Sequence, residues 1–203
     1  MYKFVLNIAK IIVRLFGKVE VLKKERLPQQ EAYIVTCTHR GWLEIVILGI
    51  AIPRPVHFMA KKELFDNPII GFILRKINAF PVDRENPSPS TIKIPVKLLK
   101  RKEVVGIFPS GTRNSEGAPL KRGAVTIANL SKAPIVPAYY YGPRTLKELK
   151  RMKKAVIIFG EPIFIHVQKK DELASYTELL NERTKFLEEE LQTTLELRNN
   201  NQT

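Results

Sequence analysis

The stretch Glu-Ala-Tyr-Ile-Val-Thr-Cys-Thr-His-Arg-Gly-Trp-Leu-Glu-Ile-Val-Ile-Leu-Gly-Ile-Ala-Ile, residues 31–52, changes character half-way along. Glu31–Cys37 is a short run of apolar and β-branched side chains, the pattern of a strand buried on both faces. Trp42–Ile52 reads as a helix. A strand that passes through a few polar residues into a helix is the repeating unit of an α/β fold. The next segments repeat it. Val56–Met59 is a second short strand. Asn67-Pro68 opens a helix with proline at its first position, and the apolar run lasts through Ile77. Ala79–Val82 is strand-like, and Glu85–Ser90 is a loop. A helix over Thr91–Lys102 carries Pro95 inside it, where a distortion is expected.

Val104–Phe108 is a strand that runs into a turn-rich segment, Pro109–Gly117. Ala124–Leu130 suggests a helix, and Ile135–Tyr141 and Val156–Phe159 suggest strands. From Asp171 to about Arg198, apolar residues at 173, 176, 180, 187, 191 and 195 mark one face of a long helix. No repeat, low-complexity tract or internal linker interrupts the alternation. The chain reads as a single α/β domain of residues 19–203, sheet covered by helices, behind an N-terminal helix of residues 1–18.

Length and composition agree. The chain has 203 residues, 44% hydrophobic and 27% charged, which excludes disordered, collagenous and coiled-coil classes. A domain of this size buries about 70% of its unfolded surface and needs no disulfide or structural metal. One cysteine, Cys37, forms no internal disulfide, and with three histidines a zinc module is not expected. The chain therefore reads as a reduced, cytoplasmic protein.

Charge is the first functional clue. Thirty-four Lys and Arg against twenty Asp and Glu give a net +14. Residues 171–203 hold eight acids and three bases, so residues 1–170 carry +19. Such a body calls for an anionic partner: nucleic acid, anionic lipid, or a phosphorylated substrate with an acidic carrier. Nucleic acid is the weakest of these, because no aromatic stacking platform is interleaved with the basic residues.

The N-terminus favours lipid. At about 100° per residue, Lys3, Asn7, Lys10, Arg14 and Lys18 fall within one arc of roughly 80°. The rest of the surface carries Phe4, Val5, Leu6, Ile8, Ile11, Ile12, Leu15 and Phe16. The longest uncharged run is six residues, Phe4 to Ala9, far short of the ~20 needed to span a bilayer. Lys10 and Arg14 also interrupt what a secretory signal would keep continuous. Two readings fit: a cationic amphipathic helix in the membrane interface, or a surface helix packed on the core. The broad apolar face and wholly cationic polar face favour the first.

His39 lies just past the 31–37 strand, and strand ends in α/β folds are where reactive groups are placed. Glu44 follows five residues later. On one continuous helix they would be about 140° apart. With His39 in the loop, its ring can fold back onto Glu44, which would accept from Nδ1–H and leave Nε2 free as a general base. A strand-end histidine beside a solvated glutamate is the plain alternative. Cys37 shares the strand face of His39, but a lone cysteine in an apolar strand reads as a core residue. The segment Phe108–Asn114 (Phe-Pro-Ser-Gly-Thr-Arg-Asn) offers backbone N–H groups and hydroxyls that suit a phosphate, with Arg113 for a bidentate grip. It is not a P-loop, and an ordinary polar turn reads the same way. Lys61-Lys62-Glu63-Leu64 and Val82-Asp83-Arg84 place further cations near strand ends, and His57 and His166 read as structural.

Taken in order, His39…Glu44, Ala60–Leu64 through Phe80–Arg84, Phe108–Arg113 and Ala133–Pro137 resemble the four motifs of the glycerolipid acyltransferase family. Among its members the bacterial 1-acyl-sn-glycerol-3-phosphate acyltransferases are the nearest likeness. The resemblance spans roughly residues 30–165. It departs at Glu44, where the family has Asp; at Ser110, where Glu is usual although some bacterial members carry Ser; and at Gly41, often Ser.

The resemblance implies a mixed β-sheet flanked by helices. It also implies acyl transfer from acyl-carrier protein or coenzyme A to the sn-2 hydroxyl of lysophosphatidate, giving phosphatidate. His39 would be the base and Glu44 its orienting partner. Lys61, Arg84, Ser110, Gly111, Thr112 and Arg113 would hold the acceptor phosphate. No metal or redox cofactor is expected beyond the acyl donor, and the expected place is the cytoplasmic face of the cell membrane, bound peripherally. Ser110 keeps another lysophospholipid or glycerol phosphate open as acceptor. Ser110 and Glu44 together keep open a non-catalytic basic protein of the membrane surface.

Overall fold

The structure, a computed structural model, describes residues 2–38, 41–83, 89–108, 122–152, 154–167 and 172–200. Seven strands form one sheet: β1 (Lys18–Leu22), β2 (Tyr33–Cys37), β3 (Val56–Lys61), β4 (Phe80–Val82), β5 (Val104–Ile107), β6 (Ile135–Tyr141) and β7 (Lys154–Phe159), in the order β1-β7-β6-β2-β5-β3-β4. β2 to β6 are mutually parallel, whereas β7 runs antiparallel to β6 and pairs in parallel with β1. The sheet is therefore mixed, and the single α/β domain expected from strand–helix alternation is present.

All five residues of β2 are buried, and it is the middle strand of the seven. That is why it reads as continuously apolar rather than alternating. Val35 and Cys37 join the core on one face, under α1 (Tyr2–Phe16), α2 (Leu43–Ala51) and α6 (Leu146–Met152). Ile34 joins the other, with Leu99 of α4 (Ser90–Lys100), Val125 and Ile127 of α5 (Arg122–Ser131) and Leu180 of α7 (Glu172–Asn200). The tail helix follows its sequence pattern: Leu180, Leu187 and Leu191 are buried, and Glu188 accepts a hydrogen bond from Tyr139 Oη at 2.6 Å. Its far end is tied to β1 by an ion pair between Arg198 and Glu20, which Lys154 also meets at 2.7 Å.

α3 (Pro68–Lys76) begins as expected, with Asn67 Oδ1 accepting from the backbone N–H groups of Ile69 and Ile70, each at 3.1 Å. α4 holds Pro95 buried in its interior. Two elements went unread in the sequence. β1 follows the N-terminal helix after a single residue, so its alternating Lys-Val-Glu-Val-Leu is overshadowed by the amphipathic run. α6 opens on Thr-Leu-Lys-Glu, in which Thr145 Oγ1 accepts from Glu148 N at 3.2 Å and Glu148 Oε2 accepts from Arg144 N at 2.7 Å. That capping pattern is a legible start signal.

α1 shows three faces rather than the two in the sequence reading. Val13 is buried, and Tyr2, Val5, Leu6, Ala9 and Phe16 beside it are partly buried against the domain. Tyr2 Oη accepts from Val56 N at 3.0 Å. Phe4, Ile8, Ile11, Ile12 and Leu15 form a second apolar stripe, which is exposed. Lys3, Asn7, Lys10 and Arg14 make the third face, also exposed. Packing on the core thus uses about half of the apolar surface and leaves the other half open.

Candidate active site

The crossover from β2 to β3 runs through α2 on one face of the sheet, and the crossover from β5 to β6 runs through α5 on the other. β2 and β5 are neighbours. Chains that leave adjacent parallel strands to opposite faces open a crevice beyond their carboxyl ends, the usual ligand site of such sheets. The described residues that adjoin three of the sequence-predicted segments stand at that edge. Residue 39 follows β2 by one intervening residue, Lys61 ends β3, residue 84 follows Asp83 beyond β4, and residues 110–113 follow β5. Thr36 pairs with Ile107, and Phe58 with Gly106. Counting on along these registers puts Cys37, Phe108 and Ala60 in one row across the sheet, with Lys61 one step beyond and level with Val82, its own partner in β4. Ala133–Pro137 is different. It enters β6 from the opposite edge, where Pro134 O accepts from Ile34 N at 2.9 Å. This segment builds the sheet beside β2 rather than the crevice.

Glu44 lies in the first turn of α2 and is only 1% exposed. A carboxylate is rarely buried so completely without a specific role, since desolvating a charge is costly. This is the opposite of the solvated helix glutamate that the sequence also allowed. Cys37 and Tyr140 feel Glu44 directly: burial first, then its charge, pushes both their acid groups well above their ordinary range. Cys37 is consequently an inert core thiol, not an activated nucleophile. Tyr140 Oη donates to Pro143 O at 2.7 Å, holding the turn after β6 against this corner. Tyr140 was not singled out in the sequence. Its alternation with Tyr139 across β6 was the available signal, since successive strand residues face opposite sides.

Gly41 now has a physical reason. A Cβ built there would meet Cβ and O of Arg144 at 2.9 Å each, so the turn after β6 leaves no room for a side chain. Gly142, in that same turn, has φ +153°, a conformation that favours glycine.

Lys61 is part-exposed at the edge, with Nζ 3.5 Å from Glu63 Oε1. A surface pair of this kind is worth at most about 1 kcal/mol and does not commit the lysine to it. His39, Arg84, Ser110, Gly111, Thr112 and Arg113 lie outside the described residues. Their described neighbours in the chain, Thr38, Asp83 and Phe108, stand at the carboxyl edge.

The other histidines are elsewhere. His57 is the second residue of β3, at the amino edge, with Nε2 3.7 Å from Glu103 Oε2. Burial lowers its pKa, outweighing the opposing pull of Glu103. His166 is exposed, and its backbone N–H donates to Tyr176 Oη at 3.4 Å. Among the described residues no group of three or more His, Cys, Asp or Glu side chains is placed to hold a metal ion.

Comparison with known proteins agrees with the buried carboxylate and the carboxyl edge of β2 and β5. The profile of the Acyltransferase family matches residues 18–141, well over half the chain. The chain belongs to the acyltransferase family. It is 56% identical over 196 residues to the 1-acyl-sn-glycerol-3-phosphate acyltransferase of Bacillus subtilis (strain 168), covering 94% of this chain and 98% of that one. It is 43% identical over 157 residues to the pneumococcal protein of the same name, covering 76% of this chain and 59% of the relative. Among solved structures, the 1-acyl-sn-glycerophosphate acyltransferase PlsC from Thermotoga maritima superposes with a TM-score of 0.70, covering 93% of this chain and 80% of its own at 23% identity, a likeness of fold. The acyltransferase domain spans the crevice, from β1 to the end of β6.

Proposed function

We propose that this acyltransferase moves a fatty acyl group from acyl-carrier protein or coenzyme A to the sn-2 hydroxyl of 1-acyl-sn-glycerol-3-phosphate, giving phosphatidate, in the crevice beyond β2 and β5. The names of its relatives support the acceptor. The observation that carries the mechanism is Glu44, a glutamate sealed from water five residues after a histidine at the carboxyl end of the central strand.

In this reading Glu44 accepts from Nδ1–H of His39, fixing the tautomer and steadying the imidazolium. Nε2 of His39 takes the acceptor's hydroxyl proton as that oxygen attacks the thioester carbonyl. The new C–O bond forms, the C–S bond breaks, and the imidazolium returns its proton to the departing thiolate. No protein nucleophile is required, in keeping with the inert Cys37. Arg113, with Lys61 and Arg84, binds the acceptor phosphate, and Ser110, Gly111 and Thr112 supply hydroxyl and backbone donors to it. The chemistry calls for no metal or redox cofactor. The exposed stripe Phe4, Ile8, Ile11, Ile12 and Leu15, flanked by Lys3, Lys10 and Arg14, lies in the interface of an anionic membrane, bringing the crevice to its lipid substrate. The side of attachment is the cytoplasmic face, and no helix among the described residues is long and apolar enough to cross a membrane.

The test is acyl transfer in detergent from labelled acyl-coenzyme A and from acyl-carrier protein to lysophosphatidate. Phosphatidate from the parent but not from His39→Ala is the expected result, and folded parent protein inactive with both donors would overturn it. Arg113→Ala should raise the acceptor KM about tenfold or more, the loss of a charged hydrogen bond, while leaving the donor KM nearly unchanged. A raised donor KM instead would move the phosphate site.

A further inference from the structure

α3 is an unusual helix for a folded domain. Its sequence is Pro-Ile-Ile-Gly-Phe-Ile-Leu-Arg-Lys, yet its one buried residue is Gly71. Ile69 is 71% exposed, Phe72 56% and Ile73 50%, and Ile70 and Leu64 beside them are exposed as well. Ile69, Phe72, Ile73 and Lys76 stand at i, i+3, i+4 and i+7, so they share one face. Gly71 is on the opposite side, where a Cβ would meet Phe65 O at 2.7 Å. The glycine thus lets α3 rest directly on the backbone of the short 3₁₀ turn Lys62–Phe65, which packs in turn on β3 and β4. The helix holds its shape through local signals, the Asn67 cap and Pro68, rather than by burying an apolar stripe.

A contiguous exposed apolar face of this kind marks an interaction surface, because soluble domains rarely leave one unpartnered. The charges around it indicate the partner. No acid occurs from Asn67 to Val82. Lys76 Nζ sits 5.2 Å from the centre of the Phe72 ring, and the Arg75 guanidinium 5.7 Å from that of Phe65. Lys76 thus closes the apolar face while Arg75 lies on the Gly71 side, and an apolar face bounded by a cation is what an interface between acyl chains and anionic headgroups selects. α1 repeats the combination: an open apolar stripe, flanking cations, and no acid before Glu20. Position matters too. α3 leaves β3 shortly after Lys61 and returns to β4 before Asp83, so it borders the crevice between those two residues.

We propose that the outward face of α3, Ile69, Phe72 and Ile73 closed by Lys76, is a second lipid-contact surface that enters an anionic bilayer beside the mouth of the crevice. It rests on the membrane-surface reading above and deepens it. α1 attaches the domain, and α3 places the carboxyl edge of the sheet against the lipid from which an amphiphilic acceptor must be drawn.

The experiment uses the full-length protein with vesicles of phosphatidylglycerol or of phosphatidylcholine. A cysteine at position 69 (Ile69→Cys) carries a polarity-sensitive fluorophore, since native Cys37 is buried and its thiol is held protonated. A blue shift on phosphatidylglycerol vesicles, weaker on phosphatidylcholine and quenched by lipids brominated in their acyl chains, is expected. No shift while the protein floats with the vesicles would overturn the proposal, because binding would then use α1 alone. In flotation, the combined change Ile69→Ser, Phe72→Ser and Ile73→Ser should lower partitioning about tenfold or more. The same variant should keep its rate on detergent-dispersed acceptor and lose rate on acceptor embedded in vesicles. Unchanged partitioning, or a change confined to self-association in sedimentation, would assign the face to another partner. Failure of the acyl-transfer reading is separate: it would appear as a parent inactive in detergent whatever the fluorophore reports.

Discussion

Two glutamates stand at opposite edges of one sheet, one beside a described histidine and one five residues after His39 in the chain. At the amino edge, His57 and Glu103 are 3.7 Å apart, and the Glu103 side chain is 42% exposed. At the carboxyl edge, Glu44 is 1% exposed in the first turn of α2, five residues after His39. The residue types are the same, but the settings differ. The amino-edge acid is part-exposed, so solvent screens its hold on the histidine. The carboxyl-edge acid has lost its water, in a region where electrostatic interactions are strong and geometry is enforced by packing. What distinguishes Glu44 from Glu103 is how deeply the packing of the crossovers buries each one.

The sharpest way to break the comparison is a matched pair of substitutions. Glu44→Gln should lower kcat by about 10²–10⁴-fold, the ordinary contribution of a positioned acid–base group, with Glu44→Asp recovering part of it. Glu103→Gln should leave kcat within about twofold. Steady-state rates in detergent, with melting curves to show both variants folded, decide it; equal effects would abolish the distinction. A smaller effect is expected at Gly41, where a Ser side chain would collide with Arg144. Gly41→Ser should destabilise by about 1–3 kcal/mol, read from the urea midpoint, and should lower kcat because the strain falls on the segment that carries His39.

The smallest effect belongs to the amino edge. His57 has a folded pKa below its ordinary value of 6.5 because it is partly buried. The unfolded chain therefore binds the proton more readily. The stability this confers is present above about pH 6.5 and declines as the pH falls below it. Urea midpoints at pH 7.5 and 5.5 should show a decline that shrinks in His57→Gln, and an identical decline would remove His57 as its source.

α1 and α3 show where sequence patterning stops. From its periodicity, α1 is amphipathic, and either a core or a membrane satisfies that pattern. The structure shows one apolar stripe on the core and another open, because a helix presents its whole circumference and the domain covers only one side of it. In α3 the start and end were legible from Asn67-Pro68 and the following apolar run, but its exposure was not. An apolar run reads as core unless one knows that Gly71, rather than the larger side chains, makes the contact. The candidate site was legible as four ordered segments, and the described residues that adjoin three of them, Thr38, Asp83 and Phe108, stand at one edge. The fourth segment belongs to the entry of β6, since a motif's order along the chain says nothing about which end of a strand it occupies.

By itself the sequence determined the elements whose signals are local. The buried run of β2, the capped start of α3, the leucine stripe of α7 and the amphipathic N-terminal helix all follow from side-chain periodicity and turn chemistry, which act over a few residues. The excess of basic charge is likewise a property of composition. Tertiary structure alone decided that β2 is central, that α2 and α5 leave adjacent strands on opposite faces, and that Glu44 is buried while Glu103 is part-exposed. Those outcomes depend on contacts between residues far apart in the chain, which the pattern of any one segment does not encode.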